Sequence, residues 1–203
     1  MIINNDNEER ENEKENNENF DSYMEKKFIE QRRIIISGVV NQKLAERIVK
    51  LLLFLDGEDS KKPIMIIINC PGGDVFSGFA IFDVMRAIKA PVITLVAGFA
   101  ASMGSIIMLG GKKGKRYATK NSKVLIHQPL IAGVFEGRAT DIEIQAKEIQ
   151  ETKNRIINLY VEETGQSREK IAKDIEVDYW MTAELAVEYG LIDKIVDSLE
   201  DVK

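Results

Sequence analysis

Several residue types are scarce in this chain of 203 residues. Its one cysteine, Cys70, cannot form a disulfide within the chain, which is typical of a reducing compartment such as the cytoplasm. No run of about 18 apolar residues occurs, and no basic stretch followed by an apolar one opens the chain, so we expect neither a membrane span nor a secretory signal. No group of histidines and cysteines has metal-ligand spacing, which disfavours a zinc hydrolase.

Excess charge is confined to the N-terminus. Residues 1–19 contain seven acidic and two basic side chains and very few apolar ones. We therefore expect a disordered acidic Asn/Glu-rich tail before a single domain over residues 20–203. Elsewhere acidic and basic residues are equal in number, so the net charge of −5 belongs to the tail. A neutral body gives no electrostatic reason to expect nucleic acid as a partner.

From residue 33 onward, short apolar runs alternate with stretches of helical periodicity, and this alternation predicts an α/β domain with a largely parallel sheet. Strands are predicted at 34–36, 64–68, 92–96, 116–119, 124–126 and 192–196. Helices are predicted at 42–55, 76–88, 102–109, 140–163, from 167 onward, and at 183–189. The continuous aliphatic run at 64–68 indicates a strand buried on both faces. The helix at 140–163 would be about 36 Å long, so it either projects towards a neighbour or lies along its own core.

The single histidine, His127, follows the apolar strand predicted at 124–126. Most lone histidines are structural, but α/β proteins commonly carry their catalytic side chains at strand ends. Ser102 follows another predicted strand, among small residues and at the turn into a helix. Such a serine can present its Oγ to substrate beside amides that favour a developing negative charge. An ordinary helix N-cap is the alternative, and Ala100 breaks the G-x-S-x-G pattern.

Three further features bear on a nucleophilic site. The glycines of the segment 71–74 would let backbone amides approach an oxyanion or a phosphate, but no P-loop ending follows, so no nucleotide site is predicted. Cys70 is a rival nucleophile, although a small buried hydrophobe is its more common role. An acid must orient the imidazole of a triad. Spacing alone leaves four candidates open: Asp174, Glu176, Asp178 and Asp193.

Six motifs, in this order, resemble the Clp protease proteolytic subunit family (ClpP) from about residue 23 to the C-terminus. They are Leu52-Leu53-Phe54-Leu55, Ile68-Asn69-Cys70-Pro71-Gly72-Gly73, Gly98-Phe99-Ala100-Ala101-Ser102-Met103-Gly104-Ser105, Ile126-His127-Gln128-Pro129-Leu130, Ala139-Thr140-Asp141-Ile142-Glu143-Ile144 and Glu188-Tyr189-Gly190-Leu191-Ile192-Asp193. The resemblance implies a crotonase-like α/β fold with a mostly parallel sheet flanked by helices and a projecting handle helix.

The resemblance also assigns roles to individual residues. It makes Ser102 the nucleophile, His127 the general base and Asp178 the orienting acid of a serine endopeptidase. It assigns the oxyanion hole to the amides of Gly73 and Met103. Substrate is expected to pair as an extended strand with two segments beside the site. Their residues are Asp74, Val75, Gln128, Pro129 and Leu130.

The assembly implied by the resemblance is two stacked seven-membered rings around a closed chamber, in which unfolded polypeptides are cut to short peptides. A separate AAA+ unfoldase, such as a Clp ATPase, would use the ATP, so no cofactor is expected in this subunit. The expected location is the cytoplasm, with no nucleic acid or membrane as a partner. Met65 and Ile67 occupy the positions of an ATPase docking pocket.

Some positions depart from the family pattern. Val177 stands where many members have an arginine that pairs across the rings, and the loop after Leu130 is longer than usual. Two alternative functions are a non-catalytic ring subunit of a mixed assembly and a crotonase-type acyl-CoA enzyme, because that fold also holds an oxyanion with two amides.

Overall fold

The computed structural model describes residues 20–131, 133 and 136–202, and the predicted disordered tail lies outside them. Helix α1 occupies residues 20–30. The strands are β1 (Arg33–Ser37), β2 (Ile64–Cys70), β3 (Val92–Ala101), β4 (Arg116–Thr119), β5 (Lys123–Ile126), β6 (Tyr179–Thr182) and β7 (Lys194–Val196). The other helices are α2 (Gln42–Glu58), α3 (Val75–Ala87), α4 (Met103–Leu109), α5 (Ala139–Thr164), α6 (Arg168–Asp174) and α7 (Ala183–Tyr189), with a 3-10 turn at Leu199–Asp201. None of the helices in these ranges is long and apolar enough to cross a membrane.

The sheet is parallel apart from one strand, which confirms the predicted fold class. Its main path runs β1-β2-β3-β4-β7. Strand β3 is longer than predicted because it changes partners: residues 94–96 pair with β4, and residues 99–101 pair with β5. Gly98 lies between the two pairings with a φ of 110°, and a Cβ there would come within 2.6 Å of Asn69 Oδ1. Strand β6, absent from the sequence prediction, runs antiparallel to β5.

The core lies between the sheet and the helices, and it is built from alternate strand residues. On β2, Ile64, Ile66 and Ile68 are fully buried. Met65 and Ile67 on the opposite face are only half-buried, so the prediction that both faces of this strand are buried is wrong. That face carries a small separate cluster formed by Ile93, Leu95, Tyr117, Val196 and Val202. The helices do not cover this cluster as they cover the main core, and β2 therefore keeps a partly exposed apolar face.

Helix α5 has 26 residues and would be about 39 Å long at 1.5 Å per residue. No side chain is buried over residues 139–151, and Ile142 and Ile144 are half exposed. Burial begins in the second half of the helix, which packs Ile156, Ile157 and Tyr160 against the core. Of the two arrangements open from the sequence, the structure has the projecting one.

Candidate active site

Ser102 occupies the sharp turn between β3 and α4. Its φ of 54° and ψ of −123° lie outside the regions that L-residues normally adopt. Apart from glycines, Arg32 is the only other described residue with a positive φ. Such a conformation costs about 1–3 kcal/mol and persists only where surrounding contacts hold it. One of these contacts is the Ser102 amide, which donates to the Leu125 carbonyl of β5 at 3.0 Å.

His127 lies at the end of the neighbouring parallel strand. Because Ala101 pairs with Leu125, Ser102 and His127 both follow directly after the paired ends of β3 and β5. The His127 side chain is 20% exposed, and its Nδ1 lies 2.9 Å from Asp178 Oδ1. A neutral imidazole that donates its Nδ1 proton to an ionised carboxylate carries its lone pair on Nε2. The contact of Nδ1 with Asp178 therefore suits the tautomer that a general base requires.

Strand β6 explains why Asp178 meets His127. Ile126 pairs with Tyr179 in the antiparallel ladder, so the residues just beyond this pair, His127 and Asp178, face each other. Gln128 is hydrogen-bonded to the segment just before Asp178. Its backbone amide donates to Ile175 O at 2.7 Å, and its Nε2 donates to Glu176 O at 3.0 Å. These two hydrogen bonds hold the segment that leads to Asp178, and the contact of Gln128 with substrate stays a prediction.

The other three candidate acids form no hydrogen bond with His127. Asp174 accepts a hydrogen bond from the Tyr189 hydroxyl at 2.7 Å. Asp193 accepts one from the Arg116 amide at 2.8 Å. Glu176 is exposed. Of the four candidates, Asp178 is the one that contacts His127.

The glycine turn after β2 packs directly against the serine. Gly72 has a φ of 91°, and a Cβ there would lie 2.7 Å from Ser102 Cβ and 2.8 Å from the Met103 nitrogen. Val40 holds the other side of the turn: its amide donates to Gly72 O at 2.7 Å, and its carbonyl accepts from the Asp74 amide at 2.9 Å. Val40 was not predicted as part of the site, because no local feature of the sequence marks it.

Two backbone N–H groups beside Ser102 are open, meaning that they have no hydrogen-bond acceptor among the described residues. Within the described part of the chain, neither the Gly73 amide nor the Met103 amide donates a hydrogen bond. They are the two amides that the sequence resemblance assigned to an oxyanion hole. Donors of this kind, fixed beside a nucleophile, can stabilise the negative oxygen of a tetrahedral intermediate.

The predicted substrate-binding residues divide into two groups. The Asp74 carboxylate accepts from the Ser77 amide at 2.8 Å and caps α3, and its own peptide groups bond to Val40 and Gly78. Asp74 therefore shapes the turn, and its contact with substrate stays a prediction. On the other side of the site, Leu130 is 66% exposed. The longer loop that follows it includes residues 132, 134 and 135, which lie outside the described residues.

Cys70 does not have the surroundings of a nucleophile. It is fully buried beneath the glycine turn, where its Sγ donates to Gly38 O at 3.2 Å and accepts from the Gly72 amide at 3.3 Å. Burial raises the pKa of the thiol, which disfavours the reactive thiolate. Cys70 therefore acts as a small packing residue. Among residues 20–131, 133 and 136–202, no three potential ligands are grouped to hold a metal ion.

Comparison with known proteins gives a consistent result. The sequence model of the family described as Clp protease matches residues 14–199. The chain is 48% identical over 180 residues to the ATP-dependent Clp protease proteolytic subunit 1 of Protochlamydia amoebophila, covering 89% of this chain and 87% of that protein. It is 46% identical over 179 residues to the protein of the same name from Chlamydia trachomatis, covering 88% and 93%. It is 47% identical over 190 residues to the ATP-dependent Clp protease proteolytic subunit 2 of Treponema denticola, covering 94% of each.

Proposed function

Since the chain belongs to the Clp protease family, we propose that it is the proteolytic subunit of an ATP-dependent protease, a serine endopeptidase with Ser102, His127 and Asp178 as its triad. The observation that carries this proposal is the 2.9 Å contact between His127 Nδ1 and Asp178, at the strand end beside the strained Ser102. The contact directs the basic Nε2 away from the acid, as acyl transfer requires.

The reaction follows from these positions. Ser102 Oγ attacks the scissile carbonyl while His127 Nε2 takes its proton, and Asp178 stabilises the imidazolium that forms. The open amides of Gly73 and Met103 bind the oxyanion. Collapse of the intermediate breaks the C–N bond, and the imidazolium gives its proton to the leaving amine. Water, activated by the same imidazole, then hydrolyses the acyl-enzyme and restores the Ser102 hydroxyl.

The rest of the molecule supports the proposed assembly. The projecting half of α5, with Ile142 and Ile144 half exposed, offers apolar surface for a second copy, as expected of a handle between two stacked rings. The half-buried Met65 and Ile67 offer an apolar sheet face for docking of an AAA+ unfoldase, which would use the ATP. Enclosure in the cytoplasm, with entry controlled by the unfoldase, would confine cleavage to unfolded polypeptides.

One observation favours the non-catalytic ring subunit as a second candidate. Ser102 Oγ forms no hydrogen bond to His127 or to any other described residue, so the nucleophile and base are not joined in this state. Such contacts commonly tighten only when substrate binds. An acyl-CoA enzyme has no comparable support, because the chain belongs to a protease family.

The decisive experiment is active-site labelling. The assembled protein is treated with a serine-directed fluorophosphonate, and the adduct is located by mass spectrometry. We expect labelling of Ser102 that is lost in Ser102→Ala and His127→Ala. Asp178→Asn should lower kcat for a short peptide by about 10²–10⁴-fold, with the assembled mass unchanged. Absence of any adduct in an intact assembly would favour the non-catalytic subunit.

A further inference from the structure

Two buried hydroxyl groups, hydrogen-bonded in series, connect helix α5 to the backbone of the proposed nucleophile. Ser105 is fully buried, and its Oγ lies 2.6 Å from the Ser102 carbonyl oxygen and 2.7 Å from the Tyr160 hydroxyl. Tyr160 is also buried, at 1% exposure, in the half of α5 that packs on the core. Neither hydroxyl belongs to the triad.

The donor and the acceptor of each of these two hydrogen bonds follow from the chemistry of the groups. A carbonyl oxygen can only accept, so the Ser105 hydroxyl donates to Ser102 O and must accept from the Tyr160 hydroxyl. Burial raises the pKa of Tyr160, which keeps its hydroxyl protonated and able to donate. Each hydrogen bond polarises the next, so the bond from Tyr160 to Ser105 strengthens the hydrogen bond from Ser105 to the Ser102 carbonyl.

The Ser102 carbonyl matters because it shares a peptide plane with the Met103 amide. A trans peptide is planar, and its C=O and N–H point in opposite directions. Fixing Ser102 O therefore aims the Met103 N–H, one of the two open amides beside the nucleophile. The amides of Ser105 and Ile106 also donate to this oxygen, at 2.9 Å and 3.4 Å, but both belong to the backbone of α4. The Ser105 hydroxyl is the one donor to this oxygen that is also hydrogen-bonded to another element, through Tyr160 of α5.

We infer that Tyr160 and Ser105 are positioning residues, which aim the Met103 amide at the oxyanion by holding the Ser102 carbonyl. This inference rests on the proposed peptidase function and deepens it. A merely structural role is the alternative, because buried tyrosines usually find a partner and helical serines often bond to an earlier carbonyl. The two roles differ in which kinetic constant they change. Aiming an oxyanion donor affects the transition state and not the binding of the ground-state peptide.

The test compares Tyr160→Phe, Ser105→Ala and the double variant in the assembled protein, using a short fluorogenic peptide. Tyr160→Phe removes one of the two hydrogen bonds and Ser105→Ala removes both. Each single variant is expected to lower kcat about three- to tenfold, with KM unchanged. The rate of fluorophosphonate labelling at Ser102 should fall in parallel. The double variant should be no slower than Ser105→Ala, because Tyr160 acts through Ser105.

Thr164→Val is the matched control. The Thr164 hydroxyl donates to the Tyr160 carbonyl at 2.6 Å on the same helix and accepts from the Gln166 amide at 3.2 Å, so neither of its hydrogen bonds reaches α4. The control should lower the melting temperature and leave kcat intact. Unchanged kcat in both single variants, or an equal fall in the control, would overturn the inference. Tyr160→Phe keeps the ring, so it decides the question alone if Ser105→Ala fails to assemble. A wild-type assembly that is not labelled at Ser102 would instead refute the proposed function, and this inference with it.

Discussion

At the scale of single residues, the site depends on backbone conformations that few side chains tolerate. Ser102 is held at a φ of 54°, and Gly72 reaches it because a hydrogen replaces the Cβ that would overlap Ser102 and the Met103 amide. Close approach and strain thus occur at the same place. The strain stored at Ser102 is offset by hydrogen bonds to Leu125 and to the first turn of α4.

Gly72→Ala should lower kcat for peptide hydrolysis by about 10²-fold, because the new methyl group must displace Ser102 or the Met103 amide. Displacements of about 1 Å at a reacting centre can cost about 10²-fold in rate. The measurement is kcat for a short peptide together with the melting temperature.

Gly114→Ala provides the matched control for this prediction. Gly114 has a φ of 84°, close to that of Gly72, but no atom lies within 4 Å of the added Cβ. This variant should lose about 1 kcal/mol of unfolding free energy through backbone strain and keep its activity. Equal losses of activity in the two variants would show that strain alone, and not contact with the site, is responsible.

At the scale of elements, helix α5 has two halves with different roles. The first half projects, and the second is fixed by burial and by an ion pair in which Glu163 meets Arg116 with both side chains almost fully buried. Arg116 also donates to the carbonyls of Leu109 and Gly111 at 2.8 and 2.9 Å, and Arg86 lies 3.4 Å from Glu163. These contacts join α5 to the end of α4 and to β4. Removal of one partner would leave a buried charge without its counterion.

Glu163→Ala should therefore lower the free energy of unfolding by roughly 3–5 kcal/mol. Glu162→Ala, at the exposed neighbouring position, should change it by less than about 0.5 kcal/mol. Urea denaturation at one fixed protein concentration makes the comparison, because assembly also contributes to stability. If the two midpoints coincide, the buried pair does not hold α5 to the body.

At the scale of the whole molecule, the exposed part of α5 leaves apolar side chains only half covered by the part of the chain that the structure describes. Ile142 is 50% exposed and Ile144 is 53% exposed, on a helical segment with no buried residue. A second copy of the chain would cover them in the proposed double ring. The neutral net charge of residues 20–203 presents no overall repulsion between such copies.

Ile144→Asp should weaken the contact between rings, because burial of a new unpaired charge opposes association. Sedimentation velocity should show a shift from the double ring towards half its mass. Gln145→Asp adds the same charge at the adjacent exposed position without removing an apolar side chain, and it should dissociate less. A double ring that withstands Ile144→Asp would place the contact elsewhere.

Much of the fold could be predicted because its signals are local. The start of α2 at residue 42 and the limits of α7 and β4 match the predicted ranges. Local contacts set such ends: the Asn41 side chain accepts from the Leu44 amide at 2.9 Å where α2 begins. Strand β6 was missed because its four residues alternate only weakly and pair with a strand more than fifty positions earlier. The partly exposed face of β2 was missed for a similar reason, since an aliphatic run does not show what covers each side.

The amino-acid sequence by itself determined the α/β class, the long helix, and the serine and histidine at the ends of predicted strands, because periodicity, caps and strand ends are properties of neighbouring residues. The family resemblance named Asp178 and the amides of Gly73 and Met103, but only the tertiary structure shows that Asp178 meets His127 and that these amides stay open beside Ser102. Only the tertiary structure shows that Tyr160 reaches Ser105, which holds the Ser102 carbonyl. These contacts join residues from about twenty-five to more than fifty positions apart. They exist only once strand pairing and helix packing bring those residues together.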